Sequence, residues 1–399
     1  MSMQKLEDLC ELIVDCKNRT PPAAPEGEGV AFSIGTPDIL DGRIRLQSAK
    51  RVTQETYETW TARAVPRADD IILTREAPVG RVGRVEDGMV LCLGQRTMLL
   101  RPDPSRTDAR FLHYFLLSDD VQATLHGHAS GSTVPHLRVA QVRTLPVPSV
   151  PDLAVQRAIG QLLGALDEKI AVNERVAAMG RELGLTLFAQ AIQSGEPVEV
   201  MVESVATALT RGVAPKYTDS SDELVVLNQK CVRDGRVNLE PSRLTLREKV
   251  KTAKLLHRND VLVNSTGVGT LGRVARWTSV LEATVDSHIT IVRFDEQQVD
   301  PVCAGFAMLL AQPDIEAMGE GSTGQTELRR VQVGGLEITL PSPAGQKEIR
   351  AKLDALEGRA DKALAESLTL AALRNALLPQ LMSGTLRVRE AERIVEDAV

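Results

Sequence analysis

The residue types in this chain that could do chemistry are poorly spaced for catalysis. Asp286-Ser287-His288 sets three triad residue types side by side, but neighbours on a strand face opposite ways. His126 and His128 have no nearby acidic or cysteine ligand, so no metal site is expected. Gly80-x-x-Gly83 reads as a Gly-rich turn between strands. Gly267-x-Gly269-x-x-Gly272 spells a dinucleotide fingerprint, yet Arg273-Val274-Ala275-Arg276-Trp277 behind it reads as a strand, where that fingerprint needs a helix. No phosphate-cradling Gly-x-x-x-x-Gly-Lys-Ser/Thr loop, nucleophile elbow or nuclease-like acidic cluster occurs. These readings point to a chain with no catalysis, metal or cofactor of its own.

The polar residues left over can bind a ligand by hydrogen bonds, and a DNA duplex is one surface that such contacts suit. Arg and Gln can bond guanine or adenine edges bidentately, and Ser or Thr can bond base edges or phosphate. On residue type and loop position, the candidates in the first half are Arg75, Arg81, Gln95, Arg96, Ser132 and Thr133. In the second half they are Asn264, Ser265, Thr266, Ser287, His288, Ser322, Thr323 and Gln325. Each is equally explicable as a turn or cap residue. Lys249, Lys251 and Lys254 are candidates for phosphate, with a solvated charged face as the alternative. The net charge of −6 argues mildly against a generic nucleic-acid binder. Charge is uneven, however: Arg243–Arg276 holds eight Lys or Arg against two acids, and Arg43–Arg84 nine against five. Local patches matter more for phosphate contact than the chain average.

Two long helices must position these loops. Ile159, Leu163, Leu166, Ile170, Asn173 and Ala177 step by four and three, and Ile349, Leu353, Leu356, Ala360, Ala363 and Ser367 repeat the steps 190 residues on. That spacing draws one mostly apolar stripe along a helix, as in a coiled-coil seam. Asp152 and Ser342 supply capping oxygens beside Pro151 and Pro343. Ser194-Gly195 and Ser383-Gly384 end the runs, where glycine can turn left-handed. Forty helical residues are roughly 60 Å long, a length suited to a spacer rod.

The segments before the two rods also repeat. Asp41-Gly42-Arg43-Ile44 matches Asp234-Gly235-Arg236-Val237, and Asp70-Ile71-Ile72-Leu73 matches Asp260-Val261-Leu262-Val263. Met98-Leu99-Leu100-Arg101 matches Thr290-Ile291-Val292-Arg293, and Gly131-Ser132-Thr133 matches Gly321-Ser322-Thr323. A near-constant offset over many short matches marks a tandem duplication. Short β-branched runs between turn residues, with one helical patch each at Arg110–Gln122 and Val302–Leu310, give two α+β modules of mixed or antiparallel sheet plus helices. The order is module, rod, module, rod. The second rod either runs on outwards or folds back; folding back buries both stripes as an antiparallel coiled coil and relates the modules by a pseudo-twofold axis. The expected boundaries are a module at 1–151, a rod at 152–195, a module at 196–341, a rod at 342–384, and a C-terminal strand and tail at 385–399. Thr385-Leu386-Arg387-Val388 is the expected strand.

The composition, 43% hydrophobic and 25% charged, is that of a soluble globular protein. Five scattered cysteines without Cys-x-x-Cys spacing read as reduced core thiols in a cytoplasmic protein. No signal peptide or membrane span is expected. Aromatics, at 3%, are too few for stacking on single strands.

The chain resembles the specificity subunits of type I restriction-modification systems. The resemblance rests on the two-module plan and on strings such as Ala68-Asp69-Asp70-Ile71-Ile72-Leu73-Thr74, Gly131-Ser132-Thr133-Val134-Pro135-His136-Leu137, Gln156-x-x-Ile159, Gln346-x-x-Ile349 and Leu378-Pro379-Gln380-Leu381-Met382-Ser383-Gly384. It implies that the modules are target recognition domains reading an asymmetric, interrupted site in double-stranded DNA. It implies two partner modification subunits that methylate adenine at N6 using S-adenosylmethionine, joined by ATP-dependent restriction subunits. No Asn-Pro-Pro-aromatic methylation motif occurs here, which fits a recognition-only chain. The alternative is a non-catalytic coiled-coil adaptor that binds proteins rather than DNA.

Overall fold

A computed structural model describes residues 4–129, 135–148, 150–319 and 327–398. The fold is α+β, and the chain divides into two compact units. Residues 1–170 and 368–399 form the first, and 171–367 the second. Each unit therefore holds one module and a length of both long helices.

The main sheet of the first unit orders its strands Cys10–Asp15, Thr97–Pro102, Ile71–Arg75, Val79–Arg84, all antiparallel. The second unit repeats that order with Ala206–Arg211, Ile289–Phe294, Val261–Asn264 and Val274–Arg276. A smaller mixed sheet accompanies each. Lys50–Val52, Ala31–Ile34 and Leu91–Leu93 form it in the first unit. Tyr217–Thr218, Arg243–Thr245, Leu224–Leu227 and Ala283–Val285 form it in the second. The duplication seen in the sequence is thus a repeated topology.

The matched strings are the scaffold of that topology. Asp41-Gly42 and Asp234-Gly235 are turns with positive φ at both residues, 51° and 77° against 52° and 70°, the hairpin geometry that Asp-Gly favours. Arg101 grips Asp70 with two parallel hydrogen bonds of 2.8 Å, and Arg293 grips Asp260 at 2.7 and 2.6 Å. Both carboxylates are 1% exposed, so the bidentate pairing offsets their burial.

The long helices run Leu153–Gln193 and Pro343–Met382. Asp152 and Ser342 cap their first turns as expected, accepting from Val155 N at 3.0 Å and Gly345 N at 3.2 Å. Gln156 and Gln346 fasten each helix start to its module. Gln156 Oε1 accepts from Thr107 Oγ1 and Asp108 N while its Nε2 donates to Pro151 O. Gln346 repeats this with Asp300 N and Pro341 O. At the far ends, Gly384 turns left-handed with φ 72°, whereas Gly195 does not. The apolar stripe is buried as expected except at Leu356, which is half-buried; Glu357 is buried beside it, paired with the buried Arg276.

In the first unit Leu163, Leu166 and Ile170 share a core with Leu370, Leu377 and Leu381. In the second, Asn173 Nδ2 donates to Glu366 Oε2 at 2.9 Å, Gly180 lies against Leu356 and Ala360, and Gly184 against Leu353. Partner numbers fall as helix numbers rise, so those stretches are antiparallel.

The expected strand at Thr385–Val388 is absent, and Val388–Ala398 is a helix. Its counterpart after the first rod, Val198–Met201, pairs with Glu337–Leu340. The corresponding edge in the first unit, Pro146–Val147, is already paired with Gln4–Lys5. With that position taken by Gln4–Lys5, the C-terminal segment buries Ala391 and packs Leu386, Val388 and Val395 on the core as a helix. All five cysteines are free thiols, four of them buried. No helix among the described residues is long and apolar enough to cross a membrane.

Candidate nucleic-acid interface

Many of the cations counted in the two basic segments are engaged within the fold. Arg43 binds Asp167, Arg84 binds Asp69 at 2.7 Å, and Arg67 binds Glu11 at 2.9 Å. Arg81 donates to Thr36 O and Ile39 O, which ties it to the loop before the small hairpin. In the second segment Arg247 pairs with Glu282, Arg258 with Asp354, and Arg243 lies over the Tyr217 ring.

The three lysine candidates separate. Lys249 and Lys251 are exposed, with Lys249 paired to neighbouring Glu248. Lys254 instead donates to Thr210 Oγ1 and Arg211 O. Burial, then the nearby Arg330 and Lys251 charges, lowers its pKa. Arg63, which sequence reasoning passed over, does the same in the first unit by donating to Asp15 O and Cys16 O at 3.1 Å. Both cations cap the last carbonyls of the first main-sheet strand, a repeated architectural role.

Asn264 and Ser265 leave the set of direct base contacts. Both are 0% exposed. Asn264 Nδ2 donates to Gln229 O and Thr270 O, and Ser265 Oγ bonds Thr290 Oγ1 at 2.6 Å. Ser132, Thr133, Ser322, Thr323 and Gln325 lie outside the described residues.

The remaining candidates gather at one end of each main sheet. In the second unit, Thr266 Oγ1 meets His288 Nδ1 at 2.8 Å, and Gln229 Nε2 donates to Thr266 O and Oγ1. Ser287 is exposed beside His288, its carbonyl accepting from Arg211. Arg211 also pairs with Glu327 at 2.8 Å, and these two line a shallow cleft with Arg329, Arg330 and Val331. Asp286 Oδ1 accepts from His288 N, so the Asp-Ser-His string is a turn. Gly267, Gly269 and Gly272 have φ of 111°, 73° and 79° and lead into a strand, not a helix. In the first unit Arg75 pairs with Asp15, Arg96 Nε with Glu76 Oε1 at 3.5 Å, and Gln95 accepts from Thr20. Gln229, Glu76, Asp15, Arg211 and Glu327 were missed; Gln229, Glu76 and Glu327 lie within a few residues of the matched strings, whereas Asp15 and Arg211 lie well outside them. Among the described residues no group of three or more His, Cys, Asp or Glu could hold a metal ion.

Comparison with known proteins gives a family match to the first part of the chain and a fold match to nearly the whole. The Type I restriction modification DNA specificity domain family matches residues 1–178. The crystal structure of a type I restriction-modification S subunit from M. genitalium aligns over 96% of both chains, with TM-score 0.60 and 17% identity. The family match covers just under half of the chain, and the structural likeness over nearly its full length is one of fold. A putative type I specificity subunit of Mycoplasma pneumoniae is 29% identical over 100 residues, 25% of this chain and 26% of that protein. The match thus spans about a quarter of that curated relative. The HsdS subunit of Thermoanaerobacter tengcongensis aligns over 96% of both chains at 16% identity and TM-score 0.35. The family match covers the first module, and the strand order of that module recurs in the second.

Proposed function

We propose that this chain is a type I specificity subunit that reads an asymmetric, interrupted site in double-stranded DNA, one half-site per module, and directs partner subunits to it. The observation that carries the reading is one sheet topology present twice, each copy edged by a different polar set, with a DNA specificity domain family matching the first copy. Polar side chains on loops suit groove reading, where hydrogen bonds to base edges carry sequence. The chain itself supplies no catalysis. Modification subunits methylate adenine, restriction subunits cleave, and the complex works in the cytoplasm. Arg96, Gln95, Thr266, Ser287 and His288 are the proposed base-facing residues, and Lys249 and Lys251 the phosphate contacts.

The test is selection from a random duplex library by the full chain, alone and with the modification subunit of its host. Enrichment of one motif made of two unlike half-sites supports the reading. Retention of the modification subunit with no sequence enrichment would leave the chain a protein adaptor and overturn it.

A further inference from the structure

The two modules share a backbone frame at the sheet end but fill it with different side chains. Arg75 N donates to Arg96 O and Ser265 N to His288 O, each at 2.8 Å; Leu137 N donates to Arg75 O and Leu328 N to Ser265 O, each at 2.9 Å. Isolated bridges join Glu76 to His136 and Thr266 to Glu327. Thr36 Oγ1 donates to Glu76 O, and Gln229 Nε2 to Thr266 O. Position by position, Arg96 therefore corresponds to His288, and Glu76 to Thr266. The frame needs only backbone atoms from these four residues, so it does not dictate their side chains.

The difference has a chemical sense. Arg96 and Glu76 are 45% and 31% exposed, and their ion pair closes no nearer than 3.5 Å, between Nε and Oε1, so both side chains stay accessible. Arg96 also holds φ 72°, a conformation arginine rarely adopts. At the matching place His288 has Nδ1 occupied by Thr266, so the ring meets a ligand through Nε2 alone.

We propose that positions 96 and 76 in the first module, and 288 and 266 in the second, determine which base pair each half-site requires. The Arg96 fork bonds guanine N7 and O6 while Glu76 accepts from the cytosine amino group, so one half-site demands a G·C pair there. His288 with Thr266 cannot make that two-sided contact, so the other half-site carries no such demand. This rests on the DNA-reading function proposed above.

The experiment is the same library selection with the full chain and its modification subunit, scored base by base, on variants whose melting midpoints match the parent. Arg96→Ala should lower the G·C preference at one position of one half-site tenfold or more and leave the other half-site intact. Arg96→Lys, which keeps the charge but loses the fork, should lose most of the same preference. The double variant His288→Arg, Thr266→Glu should gain a G·C preference in the other half-site. Arg96→Ala weakening all sequences equally, or changing neither half-site, overturns the inference. A parent chain that enriches no motif overturns the underlying function with it; a parent motif indifferent to Arg96 overturns this inference alone.

Discussion

Individual side chains here divide into those the fold consumes and those it leaves at the surface. His113 is fully buried, and desolvation outweighs the opposing Asp167 charge to bring its pKa down to about 4. An unfolded chain takes up that proton near pH 6.5, whereas the folded one refuses it until about 4. Its stabilising effect is thus full above pH 6.5 and is lost as pH falls toward 4. Urea unfolding at pH 7 and pH 5 should show about 2 kcal/mol less stability at the lower pH from this residue. His113→Leu should remove that part of the pH dependence; an unchanged slope would show the ring is not the group responsible. Lys254 and the exposed lysines separate on a different measurement. Lys254→Met leaves the Arg211 carbonyl without its ammonium, which should cost about 1–3 kcal/mol in unfolding and leave the salt slope of DNA binding alone. Lys249→Ala with Lys251→Ala should reduce that slope by up to about two and spare stability.

At the scale of elements, each long helix is joined to its module through one buried glutamine. Gln156 is 1% exposed and Gln346 7%. Gln156→Leu strands the Asp108 N–H and Gln346→Leu the Asp300 N–H, each at a cost of about 1–3 kcal/mol. Each substitution should raise hydrogen exchange in its own unit; equal loss of protection in both would argue against a local fastening. Much at this scale was legible beforehand. Periodicity found both helices because a buried stripe imposes its spacing on the chain. The caps followed because orphan backbone N–H groups need an oxygen. The C-terminal strand was misjudged because repeat logic assigns a strand to a sequence, whereas pairing depends on a free edge. Here Gln4–Lys5 occupies that edge.

For the whole molecule, the proposed function expects the purified chain mixed with S-adenosylmethionine and duplex DNA to transfer no methyl group, and addition of the proposed modification subunit to bring transfer in. Methylation by the chain alone would return catalysis to it. The duplication, the α+β class and the two rods were decided by sequence alone, since each is written in local spacing and in matches at one offset. Which polar residues remain available to a ligand was decided only in three dimensions. Arg81, Lys254, Asn264 and Ser265 have the right chemistry by type, yet the fold draws Arg81, Lys254, Asn264 Nδ2 and Ser265 Oγ into its own hydrogen bonds and buries Asn264 and Ser265 completely. Arg96 and His288 keep theirs at the surface. Residue type states what a side chain is able to bond, but only packing settles whether a neighbour has already bonded it.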